Sequence, residues 1–295
     1  MDSSALDSRI RDISAHQTGA PISRRDFILL GILGSAGLGF TLSGCSAISQ
    51  SSDDLNGRMA IIKDWLEAAR DLDSSNFLSL HTQSVAFHSY QARNAKIGRD
   101  NLWEAFQDSA ADHLEDAFIF GNEQMVCVQT ASLDFARSHC YILVFQGDLI
   151  DKIFENAALY DISRDSLSEN RINDENNEGL LGRIEVADNL TDALNERDLE
   201  SFINAFHEDA VMNGFLSTVP LEGTDAIKSA AATIFEAYPN VKMRHYRTFG
   251  QNNLVCQQVI VEHGPVRSLS TVHFFKDGKV SRTVEYFSHS ELIPL

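Results

Sequence analysis

The stretch Ile184–Phe206, IEVADNLTDALNERDLESFINAF, decides how the rest of the chain is interpreted. Its apolar residues recur at the spacing of an amphipathic helix as far as Leu194, and the pattern resumes at Leu199. The polar break 195–198 between them predicts a turn, and Asp198 is a typical cap for a second helix. The stretch therefore predicts two consecutive helices that each bury one face.

The residues after this helical pair predict a small α+β unit. A short strand is expected at Ala210–Phe215, and a third helix at Ala226–Ala237 is bounded by Pro239. Alternating apolar residues separated by turn signals then predict four strands. These strands are Val241–Phe249, Leu254–His263, Ser268–Phe275 and Val280–Phe287.

The same series of signals occurs earlier in the chain, which indicates an internal repeat. Matching pairs are His81 and Val85 with His207 and Val211, Gly98 and Asp100 with Gly223 and Asp225, and Glu155 with Glu285. The repeat predicts one domain at 58–160 and a second at 183–295. An acidic linker rich in Asp, Glu, Asn and Ser, residues 161–182, separates them.

The second repeat resembles the nuclear transport factor 2-like superfamily, which includes SnoaL-like polyketide cyclases and ketosteroid isomerases. The residues that carry the resemblance are Ala193-Leu194-Asn195, Asp198-Leu199, Phe206, Asp209-Ala210-Val211, Gly223, Ala226-Ile227, Phe275, Asp277-Gly278-Lys279-Val280 and Glu285-Tyr286-Phe287. The resemblance implies an α+β fold of two tandem cone-shaped domains. In each, helices pack on a curved antiparallel sheet around a pocket, and the two domains pair within the chain as a pseudo-dimer, giving a monomer.

The N-terminal residues 1–44 have the pattern of an export signal. Arg24 and Arg25 precede an uncharged apolar run, 27–42, which is shorter than the about 20 residues of a membrane-spanning helix. The pair resembles a twin-arginine signal, and Leu42-Ser43-Gly44-Cys45 resembles a lipobox, which implies a lipid on Cys45. We therefore expect an exported protein anchored to a membrane by Cys45 and a polar tether, 45–57. It would face the periplasm or the cell exterior, on the outer membrane if the host has two membranes.

The net charge and the cysteine spacing limit the kinds of partner and cofactor that the chain is expected to bind. The net charge of −18 disfavours nucleic acid as a partner. No Cys-x-x-Cys pair is present, so Cys127, Cys140 and Cys256 are interpreted as buried free thiols. No metal site and no cofactor are expected from the sequence.

Candidate catalytic residues follow from the resemblance to ketosteroid isomerases, which use a Tyr and a protonated Asp as oxyanion donors and a second Asp as base. The matching positions in the second repeat are Leu190, Thr271 and Gly214, so all three functional groups are missing there. In the first repeat, the base position falls on His88 and one donor position on Tyr141. Glu155 is the third candidate.

Strand alternation applied to the resemblance predicts the lining of the pockets. The expected ligand-pocket residues are Gln129 and Leu143 in the first repeat and Gln258, Thr271, His273, Glu285 and Phe287 in the second. Two functions stay open at this point. One is a tethered module that binds a small apolar or amphipathic molecule. The other is an isomerase, cyclase or hydratase that acts through the first pocket. His88 and Tyr141 could also be ordinary core residues, and the glutamates could be paired with Lys152 or Arg282.

Cys45→Ser is expected to release the protein from the membrane fraction, because it removes the sulfur that would carry the lipid. Replacing both Arg24 and Arg25 by Lys is expected to retain the chain in the cytosol. Cell fractionation with immunoblotting measures both effects. Unchanged membrane association of the Cys45→Ser chain would contradict the lipoprotein interpretation.

Overall fold

The computed structural model describes residues 52–110, 115–132, 137–158, 179–214, 219–264, 266–290 and 292. The signal segment, with Arg24 and Arg25, and the lipid site Cys45 lie outside the described residues. The predicted linker is also outside them as far as residue 178. We call 52–158 the first half and 179–292 the second half.

The first half contains three helices and six strands. The helices are α1 (Ser52–Arg70), α2 (Ser74–Ser79) and α3 (Arg99–Ala110). The strands are β1 (His81–His88), β2 (Lys96–Ile97), β3 (Glu115–Gly121), β4 (Met125–Ser132), β5 (Arg137–Gln146) and β6 (Leu149–Ala158).

The second half contains the same elements in the same order. Its helices are α4 (Leu180–Glu196), α5 (Leu199–Asn204) and α6 (Thr224–Ala237). Its strands are β7 (Phe206–Asn213), β8 (Leu221–Glu222), β9 (Lys242–Gln251), β10 (Leu254–Glu262), β11 (Ser268–Lys276) and β12 (Lys279–Ser288).

The turn between the first two helices is built in the same way in both halves. Leu72 and Arg197 each have a positive φ, 56° and 60°, which reverses the chain at the end of the longer helix. The next residue then caps the short helix. The Asp73 side chain accepts from the Asn76 amide, and that of Asp198 from the Ser201 amide. The Asp198 cap predicted from the sequence is therefore confirmed.

The strands of both halves belong to one sheet. Its order is β3-β4-β5-β6-β12-β11-β10-β9, and these eight strands pair antiparallel. The link between β6 and β12 is short, with Phe287 opposite Ala157. Strands β1 and β7 lie outside this path and pair parallel to β6 and β12. The sequence predicted a separate sheet for each repeat, and the structure differs in joining them through this contact.

One face of the first-half strands packs on the helices through an aromatic core. Trp65 from α1 lies 5.5 Å from the Tyr141 ring on β5 and 5.4 Å from Phe106 on α3, measured between centroids. Phe77 on α2 closes the group at 4.7 Å from Phe106. All four side chains are 2 % exposed or less. The Leu143 side chain is also fully buried in this cluster.

The other face of the same strands packs against the second half. Phe120 on β3 stacks on Phe249 of β9, with ring centroids 6.4 Å apart. The Gln129 side-chain amide donates to the Tyr286 hydroxyl at 2.6 Å. The three described thiols, Cys127, Cys140 and Cys256, belong to the same apolar cluster and form no disulfide, as predicted. The sheet is therefore buried on both faces where the halves meet.

No helix within the described residues is long and apolar enough to cross a membrane.

Trp65→Ala is expected to lower the free energy of unfolding by about 3–5 kcal/mol, because it opens a cavity against two rings that cannot collapse into the space. Urea denaturation followed by circular dichroism measures the loss. Trp103→Ala is the matched control, since Trp103 is only partly buried and contacts Phe77 from the rim. Equal losses in both variants would contradict the aromatic core as the main contact of α1.

Candidate functional site

A buried carboxylate lies where the aromatic core of the first half ends. Glu155 on β6 is 0 % exposed and pairs across the sheet with Tyr141 on β5. Paired residues on neighbouring strands share a face, so both side chains lie on the helix side of the sheet. The Tyr141 ring rests on Trp65, and its hydroxyl is directed to Glu155.

Three groups surround this carboxylate. The His139 Nδ1 lies 3.2 Å from the Glu155 Oε1, and the Tyr141 hydroxyl donates to the same oxygen at 3.4 Å. The Tyr90 backbone N–H donates to the Oε2 at 3.4 Å. We call Tyr90, His139, Tyr141 and Glu155 the Glu155 cluster. It places an imidazole, the Tyr141 phenol and the Tyr90 backbone N–H within hydrogen-bonding reach of one carboxylate, with the Tyr90 ring against His139.

The rings of the cluster are ordered by stacking. His139 lies nearly parallel to Tyr141, at 6.0 Å and 11° between planes, and Tyr90 meets His139 edge-on at 5.6 Å. Phe287 of the second half meets Tyr90 edge-on at 6.1 Å. The His139 side chain is 14 % exposed, so the cluster reaches the surface through this ring.

The electrostatics of the cluster favour a fixed proton arrangement. Burial, and next the neighbouring Glu155 charge, raise the pKa of Tyr141 well above its usual value, so it stays a neutral phenol that donates. With the Nδ1 proton of His139 directed to the carboxylate, the Nε2 is left as an acceptor. An imidazole that a carboxylate orients in this way can accept a proton at its Nε2 and later return it.

The equivalent positions of the second half hold a different set of groups. Thr271 pairs with Glu285, and Leu269 with Phe287, where the first half has Tyr141 with Glu155 and His139 with Ala157. His273 lies on the same face, with its Nδ1 3.1 Å from the Thr283 hydroxyl. Burial lowers the pKa of His273 to about 4, so its ring is neutral at pH 7. The imidazole–carboxylate pair of the Glu155 cluster is therefore not repeated at these positions.

The structure brings together two of the three residues predicted to be catalytic. Tyr141 and Glu155 are in contact, but His88 lies on the other face of the sheet. Its ring stacks on Phe154 at 4.5 Å, and its Nδ1 is 3.2 Å from the Ser290 hydroxyl. His88 pairs with Phe154 while its neighbour Phe87 pairs with Ile153, which fixes the face of each. The expected position of His88 beside Tyr141 is thus corrected.

Two predicted pocket residues also lie on the opposite face from the one expected. Gln129 donates to Tyr286 between the halves, and Gln258 donates to the Ser270 hydroxyl at 3.1 Å. In the second half the inward glutamine is Gln257, which donates to the Ala187 carbonyl and to Asp188 of α4. On β4 and β10 the sequence analysis assigned the inward-facing residues one position too far along the strand. Polar and apolar residues occur on both faces of these strands, so the sequence pattern does not mark the inward face.

The remaining predicted residues lie where the sequence placed them. Thr271, His273 and Glu285 share the helix side of the second half, and Leu143 shares that of the first. Phe287 lies at the junction of the two halves, between Tyr90 and His289. Their role as ligand contacts stays a prediction.

Sequence reasoning missed His139 and Tyr90. A signal for His139 was present, because residues two apart on a strand share a face and His139 precedes Tyr141 by two. No comparable signal marks Tyr90, which follows β1 and contributes its backbone N–H as well as its ring.

The comparisons with known proteins concern the second half most directly. Residues 187–283 match the family model of the SnoaL-like domain. No curated protein matches the chain. A SnoaL-like protein of unknown function from Burkholderia thailandensis is similar at 15 % identity, over 37 % of this chain and 96 % of its own, with a TM-score of 0.34.

Two further solved structures are similar at comparably low sequence identity and TM-score. An NTF-2 like protein of unknown function from Burkholderia xenovorans has 12 % identity over 37 % of this chain and 86 % of its own, with a TM-score of 0.32. An LEH-like epoxide hydrolase from M. tuberculosis has 18 % identity, over 37 % and 84 %, with a TM-score of 0.29. Likenesses this distant do not transfer an activity.

Acidification is expected to destabilise the chain through His81 and His273. Burial lowers the pKa of each to about 4, below the value of about 6.5 in the unfolded chain. Between these values the unfolded state binds more protons, so stability falls as the pH drops from 6.5 to 4, by about 1.4 kcal/mol per pH unit for each ring.

Urea denaturation at several pH values measures this slope. Replacing His81 and His273 by Gln should flatten it, and His207→Gln is the control because that ring is partly exposed. A slope that survives the double substitution would contradict this origin.

Proposed function

We propose that the chain is an exported lipoprotein that binds a small amphipathic molecule at the Glu155 cluster. The carrying observation is that a fully buried carboxylate has an imidazole, a phenol and a backbone amide as its described hydrogen-bonding partners. A buried carboxylate is costly unless its oxygens are satisfied, and such groups concentrate at functional sites. The cluster supplies oriented polar contacts beside aromatic rings.

The chemistry of the cluster defines the ligand class. The Nε2 of His139, as an acceptor, is suited to a hydroxyl group of the ligand. Tyr90 and Phe287, which meet edge-on beside His139, would offer ring surface for an apolar body. A binding site of this kind is mainly apolar, with a few polar groups that orient the ligand.

We further propose that the halves are tandem SnoaL-like domains, paired through their sheets. The repeated order of elements supports this, as do the matching turns at Leu72-Asp73 and Arg197-Asp198. The family match covers the second half. The contacts Phe120–Phe249 and Gln129–Tyr286 cover the sheet face of each half with the other. The short β6–β12 contact then joins two curved sheets edge to edge.

The exported, lipid-anchored location rests on the sequence of the N-terminal segment. Arg24, Arg25 and Cys45 resemble, in order and spacing, a twin-arginine signal followed by a lipobox, although Leu29 stands where such a signal usually has Lys. With a net charge of −18 the chain gains no electrostatic attraction to an anionic membrane, so two or more acyl chains on Cys45 would supply the attachment.

The second candidate function is an isomerase, cyclase or hydratase at the same cluster. The favouring observation is the 3.2 Å contact between His139 and Glu155, with the Tyr141 hydroxyl beside it. In that reaction the His139 Nε2 would remove a proton next to a carbonyl. Glu155 would stabilise the imidazolium, and the Tyr141 hydroxyl would turn from Glu155 to donate its one proton to the developing oxyanion. His139 thus takes the role that the sequence assigned to His88.

Small molecules that co-purify with the full chain test the binding proposal. We expect about one amphipathic molecule per chain by extraction and mass spectrometry. Tyr141→Phe and His139→Gln should weaken the affinity for this molecule at least about tenfold, since each removes a buried polar contact worth about 1.4 kcal/mol or more, and so lower its occupancy. Thr271→Val is the matched control at the equivalent position of the second half.

Unchanged occupancy in Tyr141→Phe and His139→Gln, or loss in Thr271→Val alone, would contradict the proposed site. Catalysis is distinguished by incubating the extracted molecule with wild-type chain and with His139→Gln. A chemical change that depends on His139 supports the enzyme, and recovery of the unchanged molecule in both supports the binding protein.

A further inference from the structure

Three thiols from distant parts of the sequence meet on the sheet face between the halves. Cys127 on β4, Cys140 on β5 and Cys256 on β10 are each 0 % exposed. The three Sγ atoms all lie within 4.8 Å of one another, and those of Cys127 and Cys140 are 3.5 Å apart. Two sulfurs therefore come from the first half and one from the second.

The strand register explains this convergence. Cys140 pairs with Gln129, so Cys127 lies diagonally opposite it on the neighbouring strand and on the same face. Cys256 pairs with Phe249, whose ring stacks on Phe120 across the two halves. The sequence showed no metal-binding spacing because the three residues occur on three strands, two of them remote in sequence from the third.

The separations fit one ion bound by three sulfurs. A metal–sulfur distance of about 2.3 Å in a planar three-coordinate site places the sulfurs about 4.0 Å apart. The Sγ atoms of Cys127 and Cys140 are 3.5 Å apart, and no pair of the three is separated by more than 4.8 Å. Small side-chain rotations would equalise these distances without moving the strands.

A buried positive charge near the thiols favours their thiolate forms. Arg247 on β9 is 7 % exposed and lies over the rings of Phe154 and Tyr246, at 4.5 and 4.4 Å. It lies on the same strand as Phe249, the partner of Cys256, and two residues before it, so its side chain is on the face that carries the thiols. Three thiolates and a monovalent cation would carry a charge of −2, which this guanidinium partly offsets. The three protons of the thiols would leave when the ion binds.

We propose that Cys127, Cys140 and Cys256 form a buried three-coordinate thiolate site for Cu(I). Thiolates select soft ions, and Cu(I) is the softest of the common biological ones. Structural zinc sites almost always take four ligands. Among the described residues, the group of Cys, His, Asp and Glu ligand atoms found here consists of the three cysteine sulfurs. Bound copper would connect β4 and β5 of the first half to β10 of the second. This proposal is independent of the Glu155 cluster.

Anaerobic titration of the reduced, metal-free full chain with Cu(I), in competition with a chromophoric Cu(I) chelator, tests the site. We expect one Cu(I) per chain with a sulfur-to-copper charge-transfer band. Cys256→Ser should weaken binding by more than about 100-fold, since even losing an outer-shell partner costs 10–100-fold. Cys45→Ser is the control, because it removes the remaining cysteine and should leave the affinity unchanged.

X-ray absorption of the copper-loaded wild-type chain provides a readout that does not depend on folding of a variant. Three sulfurs at one distance support the site, and two sulfurs or nitrogen and oxygen ligands overturn it. Equal affinity of Cys256→Ser and wild type overturns it as well. A disulfide between Cys127 and Cys140 would also overturn it. Thiol titration of protein purified without reductant, before and after mild reduction, would show whether such a bond is present and persists.

Discussion

Burial of the central strands on both faces is the constraint on which the rest of the structure depends. On β11, eight consecutive residues, 268–275, are buried, and β10 and β12 are nearly as enclosed. One face is covered by the helices of the same half and the other by the opposite half. Separating the halves would therefore expose one face of each sheet to water, with residues such as Phe120, Phe249 and Val272. Exposing side chains of this size costs about 1.5–3 kcal/mol each, so the contact between the halves is part of the fold and not an accessory to it.

The same constraint explains what could be predicted from the sequence. Element type and order follow from local signals that burial does not obscure. The apolar spacing up to Leu194 and the Asp198 cap act within a few residues, and the structure has both. The repeat was visible for the same reason, since each half uses the same local signals. The joining of β6 to β12 was not visible, because it depends on one pairing between residues 130 apart, Ala157 and Phe287.

The faces of individual residues were harder to predict. A strand with one wet face alternates polar and apolar residues, but a strand buried on both faces does not. Gln257 and Gln258 are adjacent, equally buried and chemically identical, yet one bonds to α4 and the other to Ser270 on the opposite face. The β-bulge recorded between Gln258 and Val259 in the pairing with β9 shifts the count further. Only the register with neighbouring strands settles such positions, and that register is a property of the folded sheet. His88 was misplaced and His139 overlooked for the same reason.

Strand β5 shows how closely the two faces are connected. Its successive residues His139, Cys140 and Tyr141 point alternately to the Glu155 cluster, to the thiol cluster and back to the Glu155 cluster. Asn156 and Glu155 on β6 divide in the same way, because Asn156 pairs with Cys140 and Glu155 with Tyr141. A shift of β5 along its axis would disturb both clusters at once, since the strand is rigidly paired on each side. Close packing makes such a shift costly, so a ligand at one cluster and an ion at the other would each stabilise the same register of β5. Occupation of either face would therefore add to the stability of the same folded state.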